Sequence, residues 1–128
     1  GTNDHDSIIA YTGPDILKGR NGSDFLNGGE GKDVLKGGKS HDVLDGGNGA
    51  DTLTGGGGQD RFVLSKGRDV VTDFNLERDH IAIPDDASVS FRKTDGGMKI
   101  VGDGFKTTLL DISQEDFISQ MPVAHIAM

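Results

Sequence analysis

The chain has 128 residues, which fits one domain, and only 33% of them are hydrophobic and 5% aromatic. Its 21 glycines make ordering of the unfolded chain costly, so apolar burial alone is a thin source of stability. The formal net charge of −8 argues against nucleic-acid binding. The absence of cysteine excludes disulfides and thiolate metal sites, and no run approaches the roughly 20 apolar residues of a membrane span.

An aspartate recurs at every ninth position through the first half of the chain. These eight positions, called the aspartate ladder below, are Asp6, Asp15, Asp24, Asp33, Asp42, Asp51, Asp60 and Asp69. Two positions after each stands a large apolar side chain, namely Ile8, Leu17, Leu26, Leu35, Leu44, Leu53, Phe62 and Val71. Without the ladder, 13 acidic side chains would face 13 basic ones, so the whole excess negative charge lies in the periodic positions.

The ladder predicts a bound cation, because two carboxylates about 4 Å apart repel by roughly 4 kcal/mol at an effective dielectric of about 20. Carboxylates and the carbonyls of glycine turns are hard oxygen donors. Calcium accepts six to eight of them in flexible geometry, whereas magnesium demands a tighter octahedron. The four histidines are too scattered for a zinc site; they are His5, His41, His80 and His125.

Each nonapeptide divides into a six-residue turn and a three-residue strand such as residues 34–36, with one inward apolar side chain. Two nonapeptides would complete one coil, with a parallel sheet on either side. Alternate repeats would then stack. One edge would carry Asp6, Asp24, Asp42 and Asp60, and the other Asp15, Asp33, Asp51 and Asp69.

The repeated unit G-G-x-G-x-D-x-U-x, cleanest at residues 28–33, 46–51 and 55–60, resembles the repeats-in-toxin (RTX) family of calcium-binding repeats. The resemblance covers residues 1–72 closely and 73–118 loosely. It implies an all-β fold, a right-handed parallel β-roll (β-helix) with a C-terminal antiparallel β cap, and Ca²⁺ ions between stacked loops. The expected glycine contributors are Gly28, Gly29, Gly31, Gly37, Gly38, Gly46, Gly47, Gly49, Gly55, Gly56 and Gly58.

Four loops per edge leave three gaps on each, which gives up to six interloop calcium sites. The sites should be unequal, because the outer loops depart from the glycine pattern at Asp4 and Pro14, and Arg20 and Ser40 replace glycines. The best-formed sites are expected in the middle, around Asp24, Asp33, Asp42, Asp51 and Asp60.

Residues 73–118 are predicted to cap the roll as part of the same domain. Asp73 and Asp79 resemble the family's ending D-x-I-x-D-F-x-x-G-x-D-x-I without its glycine, which implies one further calcium ion at these two residues. Residues 89–92 and 98–101 flank a glycine turn and predict a β-hairpin, with a third strand at 105–110. Ser113 and Asp116 could cap a brief helix, and residues 119–128 are expected to be loosely ordered.

Five basic residues fall within positions 18–39: Lys18, Arg20, Lys32, Lys36 and Lys39. Lys18 and Lys36 are separated by two nonapeptides, which predicts equivalent positions on successive coils. Such a basic stripe suits an anionic polysaccharide such as alginate. The alternative is that outward lysines keep the surface soluble and prevent unwanted edge pairing.

No catalytic motif is recognisable, since there is no cysteine nucleophile and no G-x-S-x-G sequence, so a non-enzymatic module is expected. We also expect a chain that starts at Gly1 to be part of a longer protein. The resemblance implies a secreted bacterial protein exported by a type I secretion system, with an export signal near residues 115–118, that folds on extracellular calcium. The competing hypotheses are a calcium-dependent glycan-binding module and a rigid spacer.

Overall fold

The computed structural model describes residues 4–75, 78–82, 90–94, 97–102, 104–110 and 126–127, and all regular structure there is β. Two sheets run the length of the molecule. Sheet 1 contains, in spatial order, β1 (Ser7–Ile9), β3 (Phe25–Asn27), β5 (Val43–Asp45), β7 (Arg61–Val63), β9 (His80–Ala82) and β13 (Ile126–Ala127). Sheet 2 contains β2 (Ile16–Arg20), β4 (Val34–Gly38), β6 (Thr52–Gly56), β8 (Gly67–Val71), β12 (Phe105–Leu110), β11 (Gly97–Gly102) and β10 (Ser90–Thr94).

Strands separated by two nonapeptides pair in parallel and in register. Leu17 lies opposite Leu35, which lies opposite Leu53, while Leu26 and Leu44 pair in the other sheet. Consecutive nonapeptides therefore alternate between the two sheets, and two of them make one coil. The parallel β-roll predicted from the sequence is confirmed.

The core consists of the apolar side chains that the repeat places two positions after each aspartate. One file comes from each sheet, and the two files face each other inside the roll. Their fully buried members include Leu26, Leu35, Leu44, Leu53, Phe62, Val71 and Ile81. Burial of each such side chain contributes about 1.5–3 kcal/mol, so the narrow core is a regular but limited source of stability.

The prediction of three-residue strands is correct for the repeat strands of sheet 1 and wrong for sheet 2, where β2, β4, β6 and β8 have five residues. In sheet 1, the side chains of Asn27 and Asp45 bend the chain after β3 and β5. Each Oδ1 accepts a hydrogen bond of 2.9 Å from the backbone N–H two positions later, at Gly29 and Gly47. Such turns end a strand, because the backbone N–H donates to the side chain and is no longer free to pair with the neighbouring strand.

The C-terminal cap continues sheet 2. As predicted, β10 and β11 form an antiparallel hairpin, and β12 pairs antiparallel with β11. On its other side β12 pairs in parallel with β8, so the cap covers the last repeat strand instead of leaving its edge open. At the same end of sheet 1, β13 pairs in parallel with β9. The predicted helix near Ser113 and Asp116 lies outside the described residues.

The register between β8 and β12 makes β12 equivalent to one more repeat. Thr107 lies opposite Asp69, and Leu109 lies opposite Val71. Both β12 residues are fully buried. Thr107 thus occupies the ladder position, and Leu109 the apolar position, of a further nonapeptide.

Candidate calcium sites

The ladder aspartates are joined along each edge of the roll by hydrogen bonds between consecutive coils. From Asp6 to Asp51, the backbone N–H of each ladder aspartate donates to Oδ1 of the equivalent aspartate on the next coil, as from Asp15 to Asp33 and from Asp33 to Asp51, both at 2.8 Å. The same bond joins Asp6, Asp24, Asp42 and Asp60 along the other edge. The structure therefore brings the ladder residues together along two edges, as a coil of two nonapeptides predicts.

The second carboxylate oxygen has no such partner in the middle of the roll. It is buried and accepts no hydrogen bond at five positions: Asp24, Asp33, Asp42, Asp51 and Asp60. All five residues are at most 3% exposed. A buried polar atom without a partner costs about 1–3 kcal/mol, and more when it is charged. Three such oxygens lie along one edge of the roll and two along the other, at positions where a bound cation would remove this cost.

The first glycine of each loop makes room for the unpartnered oxygen. A Cβ atom added to Gly28 would lie 2.5 Å from Oδ2 of Asp33 and 2.7 Å from the carbonyl oxygen of Gly46. Gly37 has the same relationship to Asp42 and Gly55. A carboxylate of one loop and a carbonyl of the next loop on the same edge therefore converge where a side chain would otherwise stand.

The other predicted glycines hold the turns of successive coils in close contact. A Cβ on Gly47 or Gly49 would collide with the carbonyl oxygen of the equivalent residue one coil earlier, Gly29 or Gly31. The backbone angle φ is positive at Gly29, Gly31, Gly38, Gly47, Gly49, Gly56 and Gly58. Arg20 and Ser40 replace glycine in these turns and adopt φ of 79° and 77°, a strained conformation for L-residues.

Four of the ladder carboxylates are hard to ionise in this environment. Burial raises the pKa of Asp42 and Asp51 from 3.8 to about 6, and the neighbouring ladder carboxylates add to the shift. Burial likewise raises the pKa of Asp60 and Asp69 to about 7. Hydrogen bonds from backbone N–H groups oppose these shifts without cancelling them. A nearby divalent cation would favour the ionised form of each carboxylate.

The ends of the two edges differ from the middle. Asp6 and Asp15 are only half-buried. At the other end Asp69 accepts hydrogen bonds on both carboxylate oxygens, from Asp51 N–H at 3.1 Å and from Ser65 Oγ at 3.2 Å. The carboxylates whose second oxygen is unpartnered are thus the five that the sequence placed in the best-formed loops.

Asp79 continues the edge of Asp6, Asp24, Asp42 and Asp60 by one more coil. It stands one position later than a strict repeat would place it. Its Oδ1 accepts a hydrogen bond of 3.0 Å from Asp60 N–H, and its Oδ2 one of 2.8 Å from Asn75 N–H. Asp73 is held differently: its two oxygens accept bonds from the N–H groups of Gly55 and Gly56, at 2.9 and 2.7 Å. These two carboxylates are therefore engaged by the backbone N–H groups of different residues.

Within the described residues no group of three or more His, Cys, Asp or Glu side chains gathers in a way that could by itself hold a metal ion. A calcium ion in this roll would instead draw its oxygens from one or two ladder carboxylates and from loop carbonyls. That donor set is hard, oxygen-only and flexible, as calcium prefers. The residues present therefore fit the metal that the sequence predicts.

The basic stripe predicted from the sequence is partly assembled. Lys18 and Lys36 lie side by side on β2 and β4, both exposed on the outer face of sheet 2. Arg20 is the register partner of Gly38, and its carbonyl accepts a hydrogen bond of 2.7 Å from Lys39 N–H. Lys32 precedes β4, at the opposite end of that strand.

Sequence reasoning missed the roles of several polar side chains between the ladder positions. His41 stands directly before Asp42, and its Nδ1 accepts a hydrogen bond of 2.8 Å from Gln59 N–H on the next coil. His5 makes the equivalent contact with Ser23 N–H at 3.0 Å. The available signal was the spacing of the two histidines, which is four nonapeptides and therefore two coils.

Comparisons with known proteins bear on this arrangement. No curated protein matches the sequence. Among solved structures the chain is similar to the solution structure of the AlgE6R3 subunit from the Azotobacter vinelandii mannuronan C5-epimerase, with 21% identity, coverage of 99% of this chain and 80% of that chain, and a TM-score of 0.36. The family model for the RTX calcium-binding nonapeptide repeat, in four copies, matches residues 1–35 and 36–71. The chain therefore belongs to the family of RTX calcium-binding nonapeptide repeats.

Proposed function

We propose that this chain is a folding module whose roll becomes stable when calcium occupies the gaps between its loops. The observation that carries the proposal is the set of five buried, unpartnered Oδ2 atoms, three on one edge and two on the other, each beside a glycine whose missing side chain makes room for the oxygen. The ladder aspartates are the proposed carboxylate ligands, and the glycine-rich loops supply carbonyls. Up to six interloop ions are proposed, with Asp73 and Asp79 as candidates for one more.

The energetics follow from the charge distribution. Without calcium, the coil must bury ionised carboxylates next to one another, and an uncompensated buried charge is strongly destabilising. Burial of the narrow apolar core offsets only a small part of this cost. Calcium neutralises the carboxylates and binds only the assembled loops, so its binding free energy becomes folding free energy.

A calcium titration followed by circular dichroism tests the proposal. In metal-free buffer at neutral pH the chain should be largely disordered, and it should gain β-structure cooperatively as calcium rises to the millimolar range. Magnesium at the same concentration is the control and should be far less effective, because it requires a rigid octahedron and keeps its water. A β-rich spectrum that is identical with and without calcium would rule the proposal out.

The same switch would serve export. We propose that the module belongs to a secreted bacterial protein that passes unfolded through a type I secretion system and folds outside the cell. Extracellular calcium sites typically have Kd values of about 10⁻⁴–10⁻³ M, so they stay empty where free calcium is scarce. The proposed export signal near residues 115–118 lies outside the described residues. Secretion of a reporter fused ahead of this chain, compared with the chain lacking residues 111–128, would test the role.

A second candidate function is calcium-dependent binding of an anionic polysaccharide. The observation in its favour is the adjacency of Lys18 and Lys36, both exposed, on the outer face of sheet 2. Titration of the calcium-loaded chain with acidic oligosaccharides should then shift the NMR signals of these two lysines. Unchanged lysine signals would leave them as solubilising residues of the folding module.

A further inference from the structure

A second basic cluster lies on the outer face of sheet 2, at the cap end, on three adjacent strands. Arg68 of β8 is the register partner of Lys106 of β12, and Lys99 lies on the neighbouring strand β11. These three side chains line a surface pocket of about 280 Å³, together with Asp69, Val70 and Thr108. Residues far apart in the sequence, none of them in the stripe at positions 18–39, thus converge only in the folded chain.

The cluster places like charges together without a described counter-charge. Within the described residues no ion pair joins Arg68, Lys99 or Lys106 to an acidic side chain. Asp69 also lines the pocket, but its two oxygens accept hydrogen bonds from Asp51 N–H and Ser65 Oγ. Since directly opposed like charges destabilise a sheet, the arrangement costs stability and indicates a ligand that offsets it.

We propose that this pocket binds the carboxylate groups of an acidic polysaccharide. Arg68 supplies a planar donor fork that matches a carboxylate, and Lys99 and Lys106 supply point charges beside it. Thr108 adds a hydroxyl that can donate to or accept from a sugar hydroxyl. The pocket opens on the outer face of sheet 2, so a linear chain can lie across the strands.

The chemistry of the surrounding face favours a polysaccharide over a nucleic acid. The alternate positions that β6 and β8 direct outward hold threonine, arginine and valine, not aromatic rings on which bases would stack. On the same face Thr54 and Thr72 form a hydroxyl pair at 2.6 Å, a polar surface suited to sugars.

The inference needs the folded roll but neither the stripe at Lys18 and Lys36 nor any export role. It is therefore tested on the full chain at saturating calcium, where the circular dichroism spectrum reports folding separately from binding. The ligand is a uronate oligosaccharide, titrated by calorimetry. The same oligosaccharide with its carboxyl groups reduced to alcohols serves as the neutral control, and a single-stranded oligonucleotide serves as the phosphate control.

The decisive comparison is between two double variants that remove the same charge. Lys99→Gln with Lys106→Gln should weaken uronate binding about tenfold, since two exposed ion pairs together contribute up to about 2 kcal/mol. Arg61→Gln with Lys66→Gln removes two exposed charges outside both basic sites and should change it less than about threefold. Both variants should keep the wild-type spectrum and calcium midpoint, because all four side chains lie outside the apolar core.

Several results would overturn the proposal: no binding by a chain that the spectrum shows to be folded, equal binding of the neutral oligosaccharide, or an equal loss of affinity in both double variants. Tighter binding of the oligonucleotide would assign the pocket to phosphate instead. A selective loss in the Lys99 and Lys106 variant, with a normal calcium midpoint, would establish it.

Discussion

Thr107 lies directly opposite Asp69 in the parallel pairing of β12 with β8, at the position where the next aspartate of the ladder would stand. Its side chain is fully buried, and its hydroxyl has no hydrogen-bond partner. Residues 102–110 match a nonapeptide only at Gly102 and Leu109. Asp103 and Phe105 replace two of its glycines, and Thr107 replaces its aspartate. The row of charges on this edge therefore ends where the cap begins, because the cap supplies a neutral side chain.

Thr107→Asp should extend the ladder by one carboxylate. We expect the calcium-free roll to be less stable and the calcium transition to become steeper, because one more buried charge must be neutralised. Circular dichroism during a calcium titration measures both effects. Thr107→Val is the matched control: it removes an unpartnered hydroxyl without adding charge and should stabilise the loaded roll by about 1 kcal/mol. Identical calcium transitions for the two variants would contradict the claim that a carboxylate at position 107 extends the aspartate ladder.

Asp33→Ala should raise the calcium midpoint more than Asp6→Ala. Asp33 is fully buried, has an unpartnered Oδ2 and accepts the N–H of Asp15, whereas Asp6 is half-buried at the open end of the roll. We expect an increase of about tenfold for Asp33→Ala, equivalent to about 1.4 kcal/mol, and about twofold for Asp6→Ala. Equal shifts would show that the loops do not differ in the way the burial suggests.

Acid should partly replace calcium. The pKa of Asp60 and of Asp69 is raised from 3.8 to about 7 in the folded chain, so the folded form holds more protons than the unfolded form between these values. The resulting stability is complete below the unfolded pKa and is lost as pH rises through the folded pKa. In metal-free buffer, β-structure should therefore increase as the pH is lowered from 8 towards about 5.

At saturating calcium this pH dependence should disappear above about pH 6, since the carboxylates are then ionised in both the loaded and the unfolded chain. Thermal unfolding at several pH values, with and without calcium, checks both statements. A metal-free chain that becomes more ordered as the pH rises would have the opposite sign and would exclude protonation as a substitute for calcium.

Gly47→Ala should be severe, whereas Gly57→Ala should be tolerated. Gly47 has φ of 79°, and an added Cβ would meet the carbonyl of Gly29 on the preceding coil. Gly57 has no atom within 4 Å of an added Cβ. We expect a loss of about 2–4 kcal/mol for Gly47→Ala and a change of at most about 1 kcal/mol, of either sign, for Gly57→Ala. Chemical unfolding at saturating calcium measures both values.

Much of this fold is determined by the sequence alone, because the period of nine is local and repeats. A turn of fixed length followed by one apolar residue allows only one stacking in which the leucines face inward, as Leu26 and Leu44 do. The equivalence of aspartates separated by two nonapeptides follows from the same arithmetic. The hairpin of the cap could also be predicted, because glycine turns between alternating strands are a local signal.

Only the tertiary structure decided how the roll ends and which groups meet across strands. The pairing of β12 with β8 joins segments that are distant in the sequence and share no period. No local pattern therefore predicts that Thr107 lies opposite Asp69 or that Lys106 lies opposite Arg68. The engagement of Asp73 by the N–H groups of Gly55 and Gly56 also depends on coil stacking. Periodicity specifies neighbours only where it persists; beyond it, long-range packing selects them.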